Sequence, residues 1–189
     1  LLHSGKMPQS EDAPTAKIGS ANALLEEIIV RKELSDNFCY YEDSYDTIGS
    51  ADKWAKATIQ EHDEDIRDYL YSYEDQGKAK THDGAWNAAQ SQMVKTGKMN
   101  GYMRMYWAKK IKEWTADADT AVTFAIKLND FYSIDGGDPN GYVGILWSIA
   151  GVHDRAWTER KVFGKIRYMN YGGLKRKFNI ENYEKQWLK

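Results

Sequence analysis

Apolar residues recur along this chain at intervals of three and four, with charged residues between them, which is the spacing of helices that bury one face. In "ANALLEEIIVRKELSDNF", Leu24, Leu25, Ile28, Ile29 and Leu34 follow it and predict an amphipathic helix. "DTIGS" at residues 46–50 interrupts the pattern, and the stretch from Ala51 to Lys80 predicts one or two helices ending near Gly77. "HDGAWNAAQSQMVKTG" predicts a helix closed by Gly97, since glycine alone adopts the left-handed closing conformation without cost. "GYMRMYWAKKIKEW" follows, with Met103, Trp107, Ile111 and Trp114 on one face. "DADTAVTFAIKLNDFY" predicts another buried helix, marked by Val122, Phe124, Ala125, Ile126 and Leu128. Beyond the loop "SIDGGDPNG", the stretch "YVGILWSIAGV" is apolar on nearly every side and belongs in the core. No internal repeat or low-complexity segment is visible.

The expected fold is therefore all-α, a single helical domain over residues 1–189, long enough to bury a real core. Abundant aromatics, 13% of residues, and only three prolines agree with long helices and bulky packing. The single cysteine, Cys39, excludes an internal disulfide and argues against zinc, so an intracellular location is expected, with no metal. No apolar run reaches the roughly 20 residues of a membrane span, and the first residues lack the pattern of a signal peptide. A soluble protein with no membrane partner is the expectation. The opening "LLHSGKMPQS" lacks an initiating methionine and reads as a fragment of a longer chain.

Net charge is −2, but residues 151–189 hold ten Lys or Arg against four acids. That segment carries +6, leaving −8 for the rest, an asymmetry that suits either a local surface for a polyanion or an ordinary solvated basic face. Within it, "GVHDRAWTERKVFGKIRYMNYGGLKRK" alternates glycines, aromatics and arginines. Glycine lets backbones approach, arginine pairs with phosphates, and aromatic rings offer faces to bases, so the segment is a candidate nucleic-acid surface.

Other candidates are weaker. Trp107 and Trp114 lie roughly 10 Å apart along a helix axis, a spacing that suits electron hopping between indoles and core packing alike. "DGGDPNG" offers Asp135, Asp138 and Asn140 as oxygen ligands, yet an EF-hand would need a ligand where Gly137 stands and a glutamate where Leu146 stands. It lacks the dinucleotide-binding glycine order too, leaving a helix-to-helix turn. His3, His62, His82 and His153 are scattered and form no catalytic or metal-binding pair.

Taken in order, "LLEEIIVRKELSDNFCYYE", "THDGAWNAAQSQMVKTGKMNGYMRMYWAKKIKEW", "LNDFYSIDGGDPNGYVGILWSIAGVHDRAW" and "VFGKIRYMNYGGLKRKF" closely resemble the class II cyclobutane pyrimidine dimer photolyases, from about residue 18 to residue 180. The resemblance implies a helical FAD-binding catalytic domain of the photolyase and cryptochrome type, incomplete at its N-terminus, acting as a monomer on DNA that contains pyrimidine dimers. It implies that reduced FAD, excited by light, gives an electron to the dimer, whose cyclobutane ring splits before the electron returns. The protein's part is then to hold donor and lesion together. By the same resemblance Trp86, Trp107 and Trp114 form a photoreduction chain, with Trp107 nearest the flavin. Asn129 is implied beside flavin N5, with Asn140 as second candidate, Arg104 and Asp135 as an ion pair next to the flavin ring, and Asp138 as a further cofactor-binding residue. Glu27 matches the acid that touches the dimer, Met105 and Trp147 match the walls of the lesion pocket, and Arg155 and Arg167 match basic residues at the opened duplex. Photolyases as a group extrude their target from the stack. "EEIIVRKEL" lacks the tryptophan that many photolyases carry in this helix, so one pocket wall is expected to differ. The family also has an N-terminal α/β antenna domain and a Ser/Thr-bearing clasp on the FAD phosphates, of which Ser4, Gly5 and Lys6 read as the remnant. The alternatives are a cryptochrome-like flavin photoreceptor and a helical DNA-binding module without cofactor.

Overall fold

The structure, a computed structural model, describes residues 21–189, so Ser4, Gly5 and Lys6 lie outside the described residues. The described residues form helices and connecting loops, with no sheet beyond one isolated bridge between Arg160 and Gly164. The all-α expectation holds for them.

A π-helical segment, Glu26–Arg31, leads into α1 (Lys32–Tyr41). The helix is where the periodicity places it, but its apolar stripe is not buried: Leu24, Leu25, Ile28, Ile29 and Leu34 all face solvent. Contact with the rest of the domain runs through the opposite side, where buried Ser35 donates to Asn140 Oδ1 at 2.6 Å. Then come α2 (Lys53–His62) and the short α3 (Tyr73–Gly77), which together fulfil the two-helix reading.

The four central helices owe their bounds to local chemistry. Asp83 caps α4 (Gly84–Thr96) by accepting from Trp86 N at 3.0 Å. Gly97 closes it at φ +69°, where a Cβ would stand 3.2 Å from Ile134 N. Asn100 caps α5 (Gly101–Glu113), and Asp117 caps α6 (Ala118–Tyr132). α7 (Pro139–Ala150) begins earlier than the apolar run suggests, because Asp138 caps it through Asn140 N at 2.8 Å and Pro139 pre-sets its first turn. The segment after Gly151 is irregular until α8 (Tyr171–Lys175) and α9 (Ile180–Trp187), and α9 packs back on α4.

The core lies among α4, α5, α6 and α7 and is built from alanines against large rings: Ala85, Ala88, Ala89, Ala121 and Ala125 are buried beside Trp86, Trp107 and Tyr106. Small residues let the helices approach closely enough to enclose whole indoles. Helix α5 is buried on almost every side, including Lys109, Lys110 and Lys112.

Candidate functional site

Three groupings of the expected residues emerge. The first is aromatic. Trp86 from α4 stacks parallel to Trp107 from α5, with centroids 6.3 Å apart and planes 6° apart. On its other side Trp86 meets Trp114 edge-on at 5.7 Å. The spatial order is therefore Trp107, Trp86, Trp114, and the gap that seven residues leave along α5 is filled by an indole from another helix. Hydrogen bonds pin the set: Trp86 Nε1 donates to Trp107 O at 3.0 Å, and Trp107 Nε1 donates to Gln90 Oε1 at 2.8 Å. The rings continue past Trp114 to His82 at 5.0 Å and Tyr71 at 5.6 Å, whose hydroxyl lies 2.8 Å from His82 Nδ1. Trp114, His82 and Tyr69 line a cavity of about 390 Å³, so this end of the series meets an opening while Trp107 is fully enclosed. Tyr71 and His82 were not singled out by sequence, because their meeting with Trp114 is made by chain folding across more than 30 residues.

The second grouping is polar. Arg104 on α5 reaches the loop after α6, bonding Asp135 Oδ2 at 3.1 Å and Oδ1 at 3.3 Å, and Ser133 Oγ at 3.1 Å. Burial pushes the Asp135 carboxyl up, but the bonds from Arg104 and Ser133 outweigh it and hold the group below the usual carboxylate range. Asn129 is buried on α6 and approached so closely by α7 that a Cβ on Gly141 would stand 2.9 Å from its Nδ2. Asn140 and Asp138 have structural partners: the first accepts from Ser35, and the second caps α7. Among the described residues no cluster of three or more His, Cys, Asp or Glu side chains is placed to hold a metal ion.

The third grouping is a cavity of about 580 Å³. Met105, Trp147 and Arg167 line it together, and they come from α5, α7 and the irregular segment. Arg160, Arg176 and Lys177 add charge, Tyr102, Trp157 and Tyr168 add rings, and among the described residues no Asp or Glu lines it. Cations lie over rings here, Arg167 over Trp157 at 4.5 Å and Lys177 over Tyr102 at 4.5 Å. Arg155 stands beside the cavity, over Trp157 at 5.5 Å. Glu27 does not line it; this exposed carboxylate pairs with Arg31 Nε at 2.9 Å in the π-helical segment. Trp157, Tyr102, Arg160, Arg176 and Lys177 were not picked out individually from sequence, although all but Tyr102 lie in the basic, aromatic stretch that marked a nucleic-acid surface.

Arg160 and Tyr168 line both cavities. Their segment is tied down tightly: Val162 N donates to Asp65 Oδ2 at 2.7 Å, and Lys165 N donates to Thr58 Oγ1 at 3.0 Å. Gly164, at φ +52°, sits so close to α2 that a Cβ would lie 2.2 Å from Thr58 Oγ1.

No protein-family model matches the chain. Among curated proteins, it is 57% identical over 164 residues, 87% of its length, to the deoxyribodipyrimidine photo-lyase of Oryza sativa subsp. japonica, and covers 32% of that protein. It is 55% identical over 167 residues to the deoxyribodipyrimidine photo-lyase of Potorous tridactylus, covering 88% of the chain and 31% of the relative. The protein of the same name from Methanothermobacter thermautotrophicus is 52% identical over 183 residues, covering 96% of the chain and 41% of the relative. The chain thus spans between 31% and 41% of the length of these relatives. Over the residues matched, it belongs to the deoxyribodipyrimidine photo-lyase family.

Proposed function

We propose that this chain is part of an FAD-binding catalytic domain that repairs cyclobutane pyrimidine dimers in DNA under light. The observation that carries the reading is the cavity that unites Met105, Trp147 and Arg167 with three further cations and three further aromatic rings, without an acid among its described lining residues. Flat faces among cations are what an extruded base and its flanking phosphates require. The names of the relatives support the same reading.

The residues present fit a flavin. Arg104 supplies a cation and Asn129, one helical turn from the Arg104 partner Ser133, a buried amide, a donor set suited to an anionic heteroaromatic ring. FAD, when bound and reduced, supplies the light-excited electron that opens the cyclobutane ring. Arg104, oriented by Asp135 and Ser133, would favour the negative charge of the reduced ring, and Asn129 would present its amide to a ring nitrogen. Trp147 and Met105 would face the lesion, while Arg167 would meet phosphate or fill the space left in the stack. Trp107, Trp86 and Trp114 would relay electrons from the Trp114 opening to the cofactor when it must be re-reduced.

The test is repair of a dimer-containing duplex by the chain supplied with FAD and a reductant, read as loss of the lesion under blue light and in a dark control. Light-dependent repair supports the proposal. Flavin uptake with photobleaching but without lesion preference points to a light sensor, and absence of both overturns the reading.

A further inference from the structure

Helix α5 buries a lysine against the wall of the larger cavity. Lys109 is fully enclosed, and its ammonium donates to Ser148 O at 3.0 Å. Ser148 lies in the last turn of α7, where carbonyls lack helical partners and where the helix dipole favours a cation. The same ammonium stands 4.7 Å from the ring centroid of Trp147, the residue next to Ser148. Arg167 stands 5.9 Å from that ring. Asp154 acts on Lys109 through space, without a hydrogen bond between them among the described residues. Burying an ammonium without a carboxylate partner is costly, and a leucine or methionine would pack this helix interface without that cost.

We propose that Lys109 is a positioning residue for lesion recognition: held between the Ser148 carbonyl and the face of Trp147, its ammonium fixes the tilt of the indole that meets the extruded base. The proposal rests on the reading of the cavity as a lesion pocket. One contact ends the helix that carries Trp147 and the other sets the ring itself, so the two constrain both the base and the face of that side chain. The charge also makes the site responsive to pH. Burial pushes Lys109 down to about 7, Asp154 raises it, and Arg167 and Lys112 lower it further. Asp154 and Arg167 face it from the irregular segment after α7, and Lys112 from α5 itself. Lys109 is thus charged below about pH 7 and neutral above. If the charged form holds Trp147 in its binding orientation, lesion binding and protonation of Lys109 must favour each other reciprocally.

The experiment is equilibrium binding of dimer-containing and undamaged duplexes to the whole chain between about pH 6 and pH 8.5, with Lys109→Met and Lys109→Gln beside the wild type. Methionine fills the space without charge or donor, and glutamine keeps a donor for Ser148 O without charge. The wild-type preference for the lesion is expected to fall about three- to tenfold as pH rises through about 7, the size of one cation–π contact. Both variants are expected to show a low, pH-independent preference while their affinity for undamaged DNA matches the wild type. A Lys109→Met chain with undiminished preference overturns the proposal, as does a Lys109→Gln chain that keeps the wild-type value. Equal loss of affinity for both duplexes, with a lowered Tm, would reduce Lys109 to a packing role. A wild-type chain without lesion preference overturns the repair reading and this inference together, an outcome distinct from the others.

Discussion

At the scale of single residues, Trp86 is the informative position. It is the middle ring of three, and it holds the outer two in place through its own N–H and its two ring contacts. Replacing Trp86 with Phe is expected to leave repair by prereduced, FAD-loaded protein close to wild type while slowing photoreduction of oxidised flavin at least tenfold, because a phenyl ring is far harder to oxidise than an indole. The check is the rate of flavin bleaching under blue light set against single-turnover repair by prereduced protein. The substitution also removes the second bond to the Trp107 carbonyl and leaves space where the indole stood in the core, and a loss of about 1–3 kcal/mol in urea unfolding is expected. Local periodicity marks Trp107 and Trp114 as an aligned pair. It does not show that an indole from another helix stands between them, since nothing at residues 80–90 encodes contact with residues 107 and 114 except the packing of the finished fold.

Among the elements, the irregular segment after α7 decides what the cavities look like. Its anchorage includes His62, whose Nδ1 lies 2.7 Å from Asp65 Oδ2 and whose Nε2 lies 3.4 Å from Glu159. The hydrogen bond to Asp65 raises the His62 pKa most, and burial opposes it only in part. A group raised on folding contributes stability that is complete below its unfolded value and is lost as pH rises through its folded one. The Tm is therefore expected to decline as pH rises through the raised His62 pKa, and His62→Gln is expected to flatten that decline. Gly164→Ala tests the same anchorage by steric means: at its positive φ, and with Thr58 in the way, an added methyl is expected to cost about 1–3 kcal/mol and to weaken DNA binding through Arg160. Helices α4, α5 and α6 are legible in the sequence from their apolar period, and α4 also from its stop at Gly97. The segment after Gly151 is legible only as composition, since it is held by side chains distant in sequence. The solvent-facing stripe from Leu24 to Leu34 shows the converse case, in which helical period is right and burial is wrong, because period says that one face differs and leaves open what covers it.

For the whole molecule, a net charge of −2 conceals a pocket lined by four cations, Arg160, Arg167, Arg176 and Lys177. DNA binding is expected to weaken with salt at a slope of about −3 to −4 in log–log form, and Arg176→Ala is expected to reduce that slope by about one. A slope near zero would mean that these side chains meet no phosphate. The charge asymmetry along the chain makes this surface legible from residue order alone, whereas the contributions of Tyr102 and Met105 from α5 do not enter a count of charges. Arg160 and Tyr168 belong to two walls at once, one facing the rings around Trp114 and the other facing the cations. A shared partition cannot yield to one chamber alone: on the proposed reading, a nucleic acid that drew Arg160 toward itself would also reshape the space in front of Trp114, and occupancy on one side would be transmitted to the other by a single pair of side chains.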